Sequence, residues 1–431
     1  MRADGPVWYP FTSMLHAPEP LHVVSGKGAL LQTADGRSII DAISSWWTNI
    51  HGHAHPYLQQ KLHEQYGQLE HVIFAGFTHT PALRIASRLT EWCGPGFTKL
   101  FFSDNGSTAV EVALKMTLQY HSNTGSKRHR IVAFEHSYHG DTFGSMSVSA
   151  RDAFTAAFHD KLFDVTFVSP PLPGQELKCL QQLTQAFEQQ DVAAIIFEPL
   201  IMGAGGMLMY TPEALDAVIS LAHQHQVLCI ADEVMTGFYR TGKALAIHHL
   251  EHQPDIICLS KGITGGSMAL GATVCTEAIF NAFYTEDKLK ALYHGHSYTA
   301  NPLACALANA SLDLCLQPGF QASIDRIADK HHQFAAKLTS YGTGSEAVLT
   351  NLRQCGTVLA FDIKAAEKTG YFNSMRDRLY QYFIDRDILL RPLGNTLYIM
   401  PPYCISDTML EMIYSGILSL CQELKTEASK T

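Results

Sequence analysis

Residues 227–266 read VLCIADEVMTGFYRTGKALAIHHLEHQPDIICLSKGITGG, and within them two short apolar runs each end on a residue that carries chemistry. The first run closes on Asp232 and Glu233; the second delivers Lys261 and then GITGG (262–266). Short apolar runs bounded by Gly, Pro or Asp predict buried strands. The pattern repeats upstream. KLFFS (99–103) leads into a helix after Gly106, and RIVAFE (130–135) follows; helical LKCLQQLTQAFEQQ (177–190) feeds DVAAIIFEP (191–199), and helical TPEALDAVISLAHQHQ (211–226) feeds the first run above. Such alternation predicts an α/β fold, with a mostly parallel sheet, crossover helices on its faces and ligands at the carboxyl ends of the strands. After Asn301-Pro302 the texture changes: NPLACALANASLDLCL (301–316), SMRDRLYQYFIDRD (374–387) and SDTMLEMIYSGILSLCQEL (406–424) read as longer helices, mixed with strands TVLAFDI (357–363) and TLYIMPP (396–402). We therefore expect a large unit over 51–300 and a smaller α+β unit over 301–431, joined by the N-terminal segment 1–50.

The 431 residues are 46% hydrophobic and 16% charged, with a formal net charge of −9 and no long run of either sign. This is globular composition, long enough for a large core, and it lacks the basic footprint that nucleic acid or an anionic membrane selects. Small molecules are the expected partners. Ten cysteines are scattered from Cys93 to Cys421 without a C-x-x-C, which predicts free and mostly buried thiols. The start, MRADGPVWYPFTSM, has no charged segment leading into an apolar one, and the most apolar stretch, 192–210, is broken by Glu198, Pro199 and glycines. A soluble, cytoplasmic protein is expected.

The polar groups just beyond the strand ends are the candidates for chemistry. KLFFS runs into DNGST (104–108), where Thr108 with Glu111 matches a capping box, so free backbone N–H groups there suit a phosphate. One such turn alone reads better as an ordinary capped helix. Asp232 is costly to bury unless it meets a cation or strong donor, and a protonated pyridine nitrogen is such a partner. Most aspartates are solvated loop residues. At an apolar strand end, the Lys261 amine can have its pKa lowered by desolvation, as an imine-forming nucleophile requires, although most lysines are surface charge. Two rivals are weaker. GFYRTGK (237–243) fits seven positions of a phosphate loop, but Ala244 stands where Mg²⁺ needs a hydroxyl. His51, His53 and His55 cluster imidazoles, yet the Gly and Ala between them and the Pro56 after them favour a packed loop; no metal is expected.

Six segments in order, SDNGSTAVEVALKM, SYHGDTFG, IIFEPLIMGAGGM, LCIADEVMTGFYRTGK, CLSKGITGG and HGHSYTANPLACA, resemble the class III aminotransferases of fold type I, over nearly the whole chain. The resemblance implies pyridoxal 5'-phosphate as cofactor. It implies that Gly106 and Ser107 bind its phosphate, Tyr138 stacks on its ring, Asp232 pairs with its pyridine nitrogen and Lys261 carries it as a Schiff base. It also implies that Ser297 reaches the phosphate of the neighbouring subunit's cofactor, hence a homodimer, and that Gly295, with Tyr138 and Lys261, binds substrate. Tyr239 departs from the glycine common at its position. Within the class, WYPFTSM, SSWWTNIHGHAHP, HVIFAGFTH, GGMLMY, RPLG and LYIMPPY resemble the subgroup that aminates 8-amino-7-oxononanoate in biotin biosynthesis with S-adenosylmethionine as amino donor. That likeness implies that Trp47 lines the substrate box, Arg240 tunes substrate choice and Arg391 binds the acceptor's carboxylate. Phe11, where that subgroup typically has Tyr, and HGHSYT (294–299) resemble relatives that use lysine instead.

Overall fold

The computed structural model describes residues 5–343, 347–365 and 373–429, so the first four residues of the N-terminal segment and residues 344–346, 366–372 and 430–431 of the C-terminal one lie outside the described residues. Seven strands make the central sheet: β1 (Phe97–Ser103), β2 (Arg130–Phe134), β3 (Val165–Val168), β4 (Val192–Phe197), β5 (Leu228–Asp232), β6 (Ile256–Leu259) and β7 (Gly271–Thr276). Their spatial order is β1-β7-β6-β5-β4-β2-β3. From β6 to β3 every pairing is parallel, whereas β7 runs antiparallel to both β6 and β1. The connection from β6 to β7, residues 260–270, is shorter than the dozen or so residues a parallel crossover requires, so the chain turns straight back. Strand β4 is buried at every position, as a strand covered on both faces must be.

The register brings Asp232 opposite Cys258 across β5 and β6, so the carboxylate and Lys261, three residues beyond Cys258, emerge at the same sheet end. The helix Gly106–Asn123 enters at that end too, directly after β1. A second sheet joins the chain termini. Val23–Lys27, Leu30–Thr33 and Ser38–Asp41 form an antiparallel meander, and Ile388–Leu389 adds in parallel to its last strand. A third, antiparallel sheet holds Leu349–Cys355, Val358–Ile363 and Thr396–Ile399. The helix Pro302–Cys315 packs on Pro56–Tyr66, on Thr80–Cys93 and on the short turn Lys261–Thr264, which ties the C-terminal part to the site. All ten cysteines are free; eight are buried, Cys355 is half-buried and Cys404 exposed. No helix among the described residues is long and apolar enough to cross a membrane.

Candidate active site

A cavity of about 460 Å³ opens at the carboxyl ends of β5 and β6, lined among others by Gly106, Ser107, Tyr138, Asp232, Lys261 and Trp47. The helix Gly106–Asn123 is capped by Asn105, whose side chain accepts from Thr108 N at 3.0 Å, while Thr108 Oγ1 accepts from Asn105 N at 2.9 Å. The Thr108–Glu111 capping box read from the sequence is thus replaced, because the helix begins at Gly106 and Glu111 falls beyond its first turn. Glu111 instead accepts from Gly144 N at 2.7 Å and Ser145 N at 3.1 Å, bracing the loop that follows Tyr138. Gly106 has no room for a side chain: a Cβ there would stand 2.6 Å from Val234 Cγ1. The helix N-terminus and the loop after Asp232 therefore close on each other.

Asp232 is 4% exposed, and both its oxygens are engaged. Oδ2 faces His139 Nδ1 at 2.7 Å and Oδ1 accepts from Val234 N at 3.1 Å. His139 Nε2, also buried, has no partner among the described residues. Behind Tyr138, Glu198 accepts from Tyr138 N at 3.0 Å and from Gly203 N at 2.8 Å; burial pushes its carboxyl up to about 7, with Asp232's charge adding and His139 opposing. Burial likewise pushes the Lys261 amine down to about 8, against the pull of Asp232 and Glu198. A fraction of that amine is neutral near pH 7, as a nucleophile must be. Sequence reasoning assigned no role to His139 or Glu198. Their signals were present, a His directly after Tyr138 and a Glu closing the apolar run of β4, but neither gave a direction for the side chain.

Trp47 forms the wall opposite, its indole 4.7 Å from Lys261 Nζ. The indole N–H donates to Tyr398 Oη at 3.0 Å, and Gly203 permits the close approach, since a Cβ there would lie 3.2 Å from Trp47 Cζ3. Trp47 is reached through an uncommon backbone: Ser44, Ser45, Trp46 and Trp47 have φ of 52°, 44°, 71° and 73°. Consecutive left-handed residues cost L-amino acids about 1–2 kcal/mol each, so this turn persists only because its surroundings over-determine it.

The remaining expected site residues lie elsewhere. Arg240 does not line the cavity; it is 1% exposed, donates to Pro401 O at 2.9 Å and Trp47 O at 3.4 Å, and sits 5.0 Å from the Tyr403 ring centre. It reaches the site through the Trp47 backbone and through its charge, which adds to the lowering of the Lys261 amine. The Arg391 guanidinium lies 4.7 Å from the Trp46 ring centre and makes no ion pair among the described residues. Gly295 and Ser297 are exposed and outside the cavity of their own chain. The phosphate-loop rival is followed by a single short 3-10 turn, Ala246–His249, and not by an α-helix, and Lys243 Nζ is spent on that turn, donating to His248 O at 2.9 Å. His51 and His53 are held separately, on Ser311 Oγ at 2.9 Å and on Asp41 Oδ2 at 2.9 Å. The one trio of metal-capable donors among the described residues is His223, Cys229 and Asp255, at the far end of β5 from the cavity.

The model of the family described as "Aminotransferase class-III" matches residues 13–420. The adenosylmethionine-8-amino-7-oxononanoate aminotransferase of Synechococcus elongatus is 47% identical over 97% of this chain and 99% of its own, and that of Geobacter sulfurreducens 35% identical over 95% and 94%. The crystal structure of the enzyme of the same name from Methanocaldococcus jannaschii superposes with a TM-score of 0.89, at 31% identity over 99% of this chain and 97% of that one. An amine transaminase from an uncultivated Pseudomonas species, in its PLP-bound internal aldimine form, gives 0.88 at 27% identity over 98% and 100%. With the strand-end lysine and aspartate facing one cavity in this fold, the chain belongs to the class III aminotransferases.

Proposed function

We propose that this aminotransferase converts 8-amino-7-oxononanoate to 7,8-diaminononanoate in biotin biosynthesis, with S-adenosylmethionine as the amino donor. The observation that carries the chemistry is the Lys261 amine, pushed down to about 8 by burial, in one cavity with Asp232. The substrate rests on the name shared by relatives up to 47% identical over nearly the full length.

Pyridoxal phosphate, the cofactor of the class, supplies an aldehyde that condenses with amines and an electron-poor ring that accepts the electron pair released at the substrate's α-carbon. The residues present fit it. Gly106 and Ser107 open the helix with N–H groups suited to a phosphate, Tyr138 lines the same cavity, and Asp232 offers a buried carboxylate to a ring N–H. Lys261 Nζ would hold the cofactor's aldehyde group and, as a free amine, would take and return the substrate's α-proton. His139 fixes Asp232 Oδ2, so the carboxylate keeps its direction and its charge would hold the ring proton. Trp47 excludes water from above Lys261, and its face suits an adenine or a sulfonium. Arg391 is the cation for the acceptor's carboxylate, a group that needs a planar fork. Arg240 influences substrate choice by setting the Trp47 backbone. Ser297 and Gly295 complete the partner's site in a homodimer, which works in the cytoplasm.

Lysine is the second donor reading. It is favoured by Phe11, whose ring packs edge-on against Trp46 at 5.5 Å and Phe154 at 5.6 Å, without a hydroxyl for the donor. Mixing the holoenzyme with each donor alone isolates the first half-reaction, read as loss of the cofactor's visible band. S-adenosylmethionine should bleach it; bleaching by lysine alone would reassign the donor and leave the aminotransferase chemistry standing.

A further inference from the structure

The left-handed turn Ser44–Trp47 ends on the residue that walls the cavity, yet what holds it lies outside the cavity. Asp41, fully buried, spends both oxygens on that turn and on one histidine. Oδ1 accepts from Ser45 N at 2.9 Å and Ile43 N at 3.3 Å; Oδ2 accepts from Ser45 Oγ at 2.7 Å and from His53 Nε2 at 2.9 Å. The other ring nitrogen, His53 Nδ1, accepts from Asn49 Nδ2 at 3.0 Å, so the imidazole is fixed at both ends. The His53 backbone is itself clamped to the N-terminal sheet, donating to Gly28 O at 2.7 Å and accepting from Gly28 N at 3.0 Å. A Cβ on Gly26 would stand 2.8 Å from His53 Cβ, so that side of the ring is closed as well. Four donors on one buried carboxylate far exceed what capping a single turn requires.

We propose that Asp41 and His53 are positioning residues of the aminotransferase: they hold the left-handed turn, and through it set the Trp47 indole over Lys261 as the fixed wall for both substrates. The inference rests on reading this cavity as the transamination site. It differs from a general stabilising role because the pair acts on the reaction only through Trp47. The N-terminal sheet, remote from the chemistry, thereby becomes part of the substrate wall.

A double-mutant cycle tests it on the holoenzyme. Asp41→Asn should lower kcat/KM, mostly through KM, by roughly ten- to a hundredfold, the scale of a small misplacement at a reacting centre. In a Trp47→Ala background the same change should cost almost nothing further. Cofactor bound per chain should stay at the wild-type level. In the cofactor-free protein, subtraction of the Trp47→Phe spectrum isolates the Trp47 emission among the four tryptophans, and Asp41→Asn should shift it to the red. Ser45→Ala and His53→Gln, milder cuts at the same hub, carry the identical criterion if Asp41→Asn fails to fold. Losses that multiply with those of Trp47→Ala, or an unmoved Trp47 emission, overturn the proposal. The cycle uses whichever donor and acceptor the wild-type enzyme turns over. A wrong substrate assignment therefore shows as wild-type inactivity on 8-amino-7-oxononanoate, a wrong positioning assignment as multiplied losses.

Discussion

Lys261 occupies a backbone conformation with φ of 47°, which a residue with a side chain adopts only under constraint. The constraint is local: Ser260 Oγ donates to Leu270 O at 2.7 Å, pinning the chain on one side, and the turn Lys261–Thr264 rests on the helix Pro302–Cys315 on the other. The amine is thus aimed into the cavity and desolvated at once. Because burial pushes it down to about 8, cofactor capture by the cofactor-free enzyme should speed up from pH 6 to pH 8 and level off above that, rather than climb toward the ordinary lysine value. Stopped-flow mixing with pyridoxal phosphate gives the profile. Lys261→Ala should still bind the cofactor, since phosphate and ring contacts are separate from the amine, but should show neither turnover nor borohydride-fixed label. Label recovered on Lys243 instead would move the covalent role.

At the scale of elements, the site depends on how closely the N-terminus of Gly106–Asn123 meets the loop leaving β5. Gly106→Ala forces a Cβ into Val234 Cγ1 at 2.6 Å, and the helix end must retreat from Asp232. Cofactor affinity should fall roughly tenfold, about 1.4 kcal/mol, with the visible band otherwise normal. Equilibrium dialysis measures it, and an unchanged affinity would detach Gly106 from cofactor binding. The strands behind this arrangement were legible from their residues, because VAAIIF and IICL are apolar along their length, LCIAD is apolar up to its closing Asp232, and a parallel sheet buries both faces. The antiparallel return of β7 was not read, although the short connection after Lys261 required it. The helix cap was read three residues late, because Asn105 and Thr108 can both cap and only the start of the helix decides between them.

For the whole molecule, Ser297 and Gly295 stand exposed on a chain whose own cavity is built without them, and the proposed homodimer gives them a role across subunits. Ser297→Ala should then weaken cofactor retention in the partner's site. Mixed dimers of a Lys261→Ala chain with a Ser297→Ala chain should regain one site with wild-type retention, measured by cofactor release from tagged heterodimers. Retention that stays at the Ser297→Ala level would put the hydroxyl in its own chain's site. By itself, the sequence determined the strand runs and the placement of Asp232 and Lys261 at their carboxyl ends. Parallel strands that follow one another in the chain pair more often than not, and β5 and β6 do, so the side chains leaving their carboxyl ends face one cavity. Only the tertiary structure decided that His139 holds Asp232, that Arg240 is sealed against the carbonyls of Trp47 and Pro401, and that Asp41 with His53 maintains a left-handed turn beneath Trp47. The contacts of His139 and Arg240 join segments far apart along the chain, those of Asp41 depend on a left-handed backbone turn, and a buried polar group takes whichever partner folding brings within about 3 Å, which residue type and spacing do not encode.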